Sequence, residues 1–437
     1  MTLSREMPES LYRDLDRLTE KIEPQAIAWR HHLHQHPELP NREKNTAAFI
    51  AEQLNTLGLD EIRSGIAGHG VVGVLRGGLP GERVMALRAD IDALPVRETA
   101  EVPFASTVVD TNYPGGPFPV AHACGHDCHT AMLLGAASVL AQVREQLSGT
   151  VLFVFQPAEE GPPVGETGGA AQMLAENALT DPAPTMVYGH HVSPYPLSYV
   201  GYRAGNQFGA SCMVKIVVSG KQVHGSTPWQ GIDPMPAAAD IISATGQLYR
   251  QIDAFAPVTV SIGHVEDAGR FNIIGETVTL WGTVRSLAQP TMHQTRQLLE
   301  RTAAHIAPAY GCTAETSFLQ PVPAVHNQPQ WIEAALPTLG RVAHRLVEVP
   351  PTLGYDDVSH FLDAYGGLYV LLGAQDTRLV DGHPQPIPGG RGLAYNHNPA
   401  FYADDAVLAT GIRLHTHVTV DHLTGKITAH RADARRT

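Results

Sequence analysis

Cysteine is the first scarcity in this 437-residue chain: there are four, Cys124, Cys128, Cys212 and Cys312. That is too few for a disulfide framework and suits a reducing compartment, so a cytoplasmic protein is expected. Long apolar runs are also missing, with no stretch near the roughly 18 to 20 residues that cross a bilayer. The opening segment MTLSREMPESLYRDLDRLTEKIEP has neither the basic start nor the apolar core of a signal peptide. Basic residues are outnumbered, 30 Lys and Arg against 43 Asp and Glu, for a formal charge of −13. A nucleic-acid backbone and an anionic membrane are therefore poor partners. Repeats and low-complexity segments are absent too.

What is present is enough apolar material, 43% of residues, for a sizeable interior. Residues 11–35 and 45–57 carry helical apolar spacing. VMALR at Val84, TVLFVF at Thr150, MVYGH at Met186 and LYVLL at Leu368 are short apolar runs bounded by Gly, Pro or charge. Such runs predict buried strands of a mostly parallel sheet, and 129–147, apolar nearly all round, predicts a helix packed inside the layers. From 209 to 319 the order becomes strand, helix, strand, strand, helix, strand, a ferredoxin-like βαββαβ unit inserted into an α/β domain. The expected division is 1–206 and 323–437 for the α/β domain and 207–322 for the insert.

The chemistry concentrates in AHACGHDCHTAMLLGAA, where residues 122–129 hold two cysteines and three histidines. A redox pair, a structural metal knot and one wall of a catalytic metal site all fit it. Cys124 and His126 sit two apart, so an extended or looping segment can aim both to one side, and a thiolate with an imidazole suits zinc and its neighbours. VLFVFQPAEEG then places Glu159 and Glu160 after a buried run, where open α/β sheets keep their sites. Adjacent residues at a strand end point apart, so one carboxylate can ligate while the other faces a water. MVYGHHV ends in His190 and His191, and GLAYNHNPAF offers His397. Four such sets, most of them following apolar runs, are hard to assign to packing.

Taken together, RHHLHQHPEL (30–39), LRADIDALPV (87–96), HACGHDCHTAMLLGAA (122–137), FQPAEEG (155–161), GHHV (189–192), GKQVHGSTPWQGIDP (220–234), NIIGETVTLWGTVRS (272–286), LGYDDVSHF (353–361) and YNHNP (395–399) resemble the dinuclear metallo-amidohydrolases of the aminoacylase and carboxypeptidase G superfamily. Within it the resemblance is to the branch of hippurate hydrolases, indole-acetyl-amino-acid hydrolases and N-acyl-amino-acid amidohydrolases. It implies that Cys124, His126, Glu160, His191 and His397 hold two divalent ions, Zn, Mn, Co or Ni, with Cys124 bridging them and His190 the weaker candidate beside His191. It implies Glu159 as general base toward the attacking water and then as proton donor to the leaving amine. It implies His224 as oxyanion stabiliser, Asn272 and Arg285 as holders of the substrate's free carboxylate, and Asp92 as the group orienting a metal ligand. Asp90 is left between a positioning and a structural role. The implied reaction is hydrolysis of N-acyl amino acids by a homodimer or higher oligomer, with a dipeptidase or carboxypeptidase using the same centre as the alternative.

Some features depart from the pattern. Cys128 replaces a glycine, HGSTPW replaces HASxPH, Gly275 stands where proline is expected, DDV replaces EDF, and the loops 107–120 and 161–169 are long. The helix histidines His31, His32, His34 and His36 have ligand-like spacing but belong to a segment outside the family's metal site, so packing and helix termination are expected. His415, His417 and His422 are expected on a solvated surface, and His430 in a frayed tail. A non-catalytic metal-binding or thiol-switch protein remains the reading from another class; Glu159 speaks against it, because storage needs ligands but no base.

Overall fold

Alternating apolar runs and amphipathic segments build the layers of the computed structural model, which describes residues 9–429. In chain order the first elements are α1 (Glu9–Gln35), α2 (Lys44–Asn55), β1 (Glu61–Ile66), β2 (Gly70–Arg76), β3 (Leu79–Asp90), α3 (His126–Gln142), β4 (Ser148–Gln156) and β5 (Met186–Pro196). The apolar runs become a mixed eight-stranded sheet with parallel pairs at its centre: β3 runs parallel to β4 and to β5, and β5 to the strand Gly367–Gln375. Antiparallel pairs of β1 with β2 and β2 with β4 extend one side. The mostly parallel sheet expected from sequence is found: the central pairs are parallel, where helices cover them and continuous apolar runs can be buried, and so is the edge pair Arg345–Glu348 with Tyr199–Tyr202.

Helix α3 is buried from His126 through Leu140, starting three residues earlier than the apolar block and ending at Gln142. It packs on α1 and on the helix Val407–Leu423. Close approach requires Gly411: a Cβ there would lie 2.2 Å from the Met132 sulfur. This late helix is buried along nearly its whole length, so the expected solvated surface for His415, His417 and His422 is wrong. They are 1%, 2% and 1% exposed, because the helix is an inner layer and not an outer one. Part of the polar load it carries is paired within the interior: Asp421 accepts from Tyr12, Thr338 and Arg341. His430 lies outside the described residues.

Residues Asn206–Val325 with Pro351–Ser359 form a separate compact unit. Its four-stranded antiparallel sheet has the order Val258–Asp267, Thr277–Ser286, Ala210–Ser219, Thr313–Val322, with helices Pro234–Thr245 and Gln289–Ala309 in the crossovers. Strict alternation along Ala210–Ser219 buries one face against these helices. A two-residue ribbon, Val223–His224 with Ile273–Ile274, stands apart from the sheet.

The histidines of α1 serve packing. His31 meets Asp405 at 2.9 Å and stacks on Phe104, while His32 and His36 stack at its exposed end, His32 also on Phe49. The cavity of about 530 Å³ beside that end is lined by His32, His36, Arg42, Phe49 and Asn112 among others, and includes none of the metal-competent residues. His34 is buried between Asp127 (Nδ1 to Oδ2, 2.9 Å) and Glu98 (Nε2 to Oε1, 2.8 Å), with Arg30 on the same Asp127 oxygen. Burial works against the imidazolium, but Asp127 and then Glu98 push its pKa up to about 9. A folded-state value above the unfolded one adds stability in full below about pH 6.5 and loses it as pH rises through about 9. His34→Gln is therefore expected to lower the denaturation midpoint more at pH 6 than at pH 9.5, as urea titrations at both pH values would show.

Candidate metal centre

Parallel strands deliver their carboxyl ends to one edge, and the chemistry collects there. β3 ends in Asp90 and continues to Asp92, β4 leads into Glu159 and Glu160, and α3 begins at His126 just after Cys124. Gly125 makes the turn between the two with φ +88°, and a Cβ on it would stand 2.2 Å from the Val192 side chain. Along β5, successive residues face opposite sides. His190 therefore points inward, to Met132 sulfur at 3.1 Å and to the His415 ring, whereas His191 points out to Cys124, Nε2 to Sγ 3.3 Å.

The five residues implied as ligands meet in this one place. The donor atoms of Cys124, His126 and His191 all lie within 4.8 Å of one another, and so do those of Cys124, Glu160 and His397. The two triads share only Cys124. His126 Nδ1 faces the Asp92 carbonyl at 2.9 Å and carboxylate at 3.2 Å, which puts its proton there. Its Nε2 is left buried without a hydrogen-bond partner, 3.8 Å from Glu159 and 3.9 Å from Glu160. His191 Nδ1 likewise donates to the Val192 carbonyl, freeing Nε2 for the cluster. Glu160 Oε1 and His397 Nε2 approach to 3.1 Å without the alignment of a hydrogen bond. His126 Nε2, His191 Nε2, Cys124 Sγ, Glu160 Oε1 and His397 Nε2 thus converge on one space, as the ligands of a cation must.

Electrostatics reinforces this. Burial, followed by Glu160 and Glu159, pushes the Cys124 thiol well above its usual range. Although burial opposes it, Asp90 and then Asp92 raise His126 to about 10. Against the same burial, His397 and His126 hold the Glu160 carboxyl below its ordinary value. Burial, followed by His129, lowers His191 well below the imidazole range, so it offers a neutral ring.

Sequence reasoning missed much of the support. Asp92 does double duty, its second oxygen accepting from the Glu160 amide at 2.9 Å. Asp90 receives His129 Nδ1 at 2.6 Å and Arg88 at 2.7 Å, and His129 Nε2 accepts the Val192 amide, so the pair fixes the backbone beside His191. The spacing of Asp90 and His129 on a strand end and a helix gives no hint of that contact. Asn396 donates to the carbonyls of Cys124 and Val192 and so ties the His397 loop to both ligand segments. Cys128 is fully buried, and His122 is buried with both ring nitrogens unpartnered. Arg42 joins the two long loops, paired with Glu166 at 2.8 Å and lying over the Tyr113 ring.

The remaining residues belong to the second unit. His224 and Asn272 sit side by side on the ribbon, where His224 pairs with Ile273 and Gly225 donates to the Asn272 carbonyl. The Ser226 amide donates to His224 Nδ1 at 3.0 Å, which fixes the ring proton on the exposed Nε2. Arg285 stands away from them on the strand Thr277–Ser286, over the Tyr355 ring at 5.1 Å, with one donor on the Leu353 carbonyl.

Imidazoles, carboxylates and a thiol gathered at the carboxyl edge of an α/β sheet define a metallohydrolase. The chain belongs to peptidase family M20/M25/M40, whose description matches residues 86–421, and it is by that membership a hydrolase of amide bonds. It is 36% identical to thermostable carboxypeptidase 2 of Saccharolobus solfataricus over 400 residues, 90% of this chain and 94% of that one. It is 32% identical to the N-acetylcysteine deacetylase of Bacillus subtilis over 389 residues, 87% and 92% of the two chains. Its fold matches the crystal structure of the Bacillus subtilis YXEP protein, a dinuclear metal-binding peptidase of the M20 family, with a TM-score of 0.71, 30% identity and coverage of 92% and 99%.

The turn at Gly125 sets both first ligands, so Gly125→Ala meets a positive φ and Val192 at once. A loss of about 1 to 3 kcal/mol is expected, measurable in urea, with weaker metal uptake by equilibrium dialysis.

Proposed function

We propose that this protein hydrolyses the amide bond of N-acyl amino acids, with two divalent ions held by Cys124, His126, Glu160, His191 and His397. The observation that carries the reading is the pair of donor triads sharing Cys124. The donor set fits: orphaned buried nitrogen and oxygen atoms on His126 and Glu160, a neutral His191 and a thiol whose deprotonation needs a nearby cation. His126 and His191 with Cys124 would hold one ion, Glu160 and His397 with Cys124 the other. A mixed set of sulfur, nitrogen and oxygen suits Zn, Mn, Co or Ni. When bound, such ions supply Lewis acidity that polarises the scissile carbonyl and acidifies water.

The chain's own residues do the rest. Glu159, beside His126 but outside the two triads, accepts the proton of the attacking water and returns it to the departing amine. His224, its proton fixed on Nε2 by Ser226, donates to the oxyanion of the tetrahedral intermediate. Asn272 and Arg285 receive the substrate's free carboxylate, Arg285 with its guanidinium plane already set by Tyr355. Asp92 holds His126 by Nδ1 and Glu160 by its amide, so it orients one ligand of each triad. The insert, 207–322, acts as a lid and dimerisation domain; its strand Val258–Asp267 pairs on one side only among the described residues and leaves an exposed edge. A cytoplasmic homodimer is the assembly proposed. No helix among the described residues is long and apolar enough to cross a membrane. Action on dipeptides is the second reading, favoured by the similarity to a carboxypeptidase.

Release of amine from N-acetyl, N-benzoyl, longer N-acyl and dipeptide substrates, with Mn, Zn, Co and Ni added separately, tests the two readings. Turnover of dipeptides alone would favour the second, and turnover of none would sink both. Glu159→Gln is expected to keep both ions and lose on the order of 10²- to 10⁴-fold in kcat; a near-normal rate would remove Glu159 from its role. Cys124→Ala is expected to weaken both ions together, seen as fewer than one ion per chain by dialysis and as loss of the metal-induced rise in Tm.

A further inference from the structure

Glu43 is fully buried, and a chain separation of 115 residues brings its carboxylate to the backbone of the catalytic turn. Oε1 accepts the Ala158 amide at 2.8 Å, while Oε2 is buried without a hydrogen-bond partner. Ala158 directly precedes Glu159 and carries φ +53°, a left-handed conformation that costs energy for any residue with a Cβ. Such strain persists only where the surroundings over-determine it. Pro157 has no amide to help, so the first hydrogen bond available to the turn is that of Ala158. The Glu160 amide is anchored too, on Asp92 at 2.9 Å. Two carboxylates from outside β4 therefore grip the turn on either side of Glu159.

The placement of Glu43 makes this more than incidental packing. It occupies the N-cap position of α2, where negative charge suits the helix dipole, and makes no capping hydrogen bond to its own helix. Oε1 reaches across to Ala158 instead, with the amides of Asn41 and of its own residue also near the carboxylate.

We infer that Glu43 is a positioning residue that holds the strained Ala158 backbone and so aims Glu159 and Glu160. This rests on the reading of Glu159 as base and Glu160 as ligand, but the first readout below does not. Glu43→Gln keeps the acceptor for Ala158; Glu43→Met keeps the buried volume and lacks it. Both are compared with wild type, Ala158→Gly and the double variant Glu43→Met/Ala158→Gly, all metal-loaded. Hydrogen exchange of residues 155–162 is expected to rise roughly tenfold or more in Glu43→Met and to stay near wild type in Glu43→Gln. With an N-acyl amino acid, kcat of Glu43→Met should fall on the order of 10- to 100-fold with KM within about threefold. Glycine accepts the left-handed backbone without strain, so Ala158→Gly should restore much of the kcat lost by Glu43→Met. The inference is overturned if Glu43→Met exchanges like wild type, if Gln is as damaging as Met, or if Ala158→Gly brings no recovery. A wild type that releases no amine from any substrate while the exchange pattern holds would sink the proposed reaction and leave the role of Glu43 standing.

Discussion

Buried negative charge without enough positive charge is the constraint on which this structure turns. Asp90, Asp92 and Glu159 are nearly or wholly buried and lie close to Glu160 and to the thiol of Cys124. Ionised carboxylates are costly in an interior unless compensated. Arg88 and His129 answer Asp90, and His126 leans on Asp92, but the outer atoms of His126 and Glu160 are left facing each other. Protein groups thus balance the outer part of the cluster and leave its centre to divalent cations.

The fold positions the centre by elementary means. Parallel pairing of β3, β4 and β5 aligns their carboxyl ends, so Asp90, Asp92, Glu159, Glu160 and His191 arrive together without long loops having to find them. Helix α3 adds His126 at its first residue, with Cys124 just before its N-cap Gly125, and is held rigid by burial on every side. Loops contribute His397, and Asn396 clamps that loop to the strand-end backbone. Rigid elements therefore carry most of the donor atoms, which is how sub-ångström geometry is kept.

Much of this was legible in the sequence, because short apolar runs report buried strands and because ligand types cluster after them. The aliphatic part of AHACGHDCHTAMLLGAA is the buried helix expected of it, and Cys124 and His126 at its start lie close to the other candidate donors. Less legible was anything decided by tertiary layering. His415, His417 and His422 look like a polar stripe, and nothing local says that their helix is an inner layer paired to Tyr12, Thr338 and Arg341. His34 and Asp127, His129 and Asp90, and Glu43 and Ala158 are contacts between distant segments, invisible to spacing. Which strands run antiparallel was not legible either, because a buried antiparallel strand such as β2 is as continuously apolar as a parallel one.

The alternation along β5 has a further consequence. His190 and His191 are chemically identical neighbours assigned to opposite sides, one packed on Met132 and His415 and the other turned to Cys124. Because the side-chain period of a strand is two, one added or lost residue upstream within β5 exchanges their places. The imidazole at the centre would still be present in composition yet would arrive on a different backbone position, out of reach of Val192 and His129. This strand can accept changed side chains over evolutionary time far more readily than a changed length.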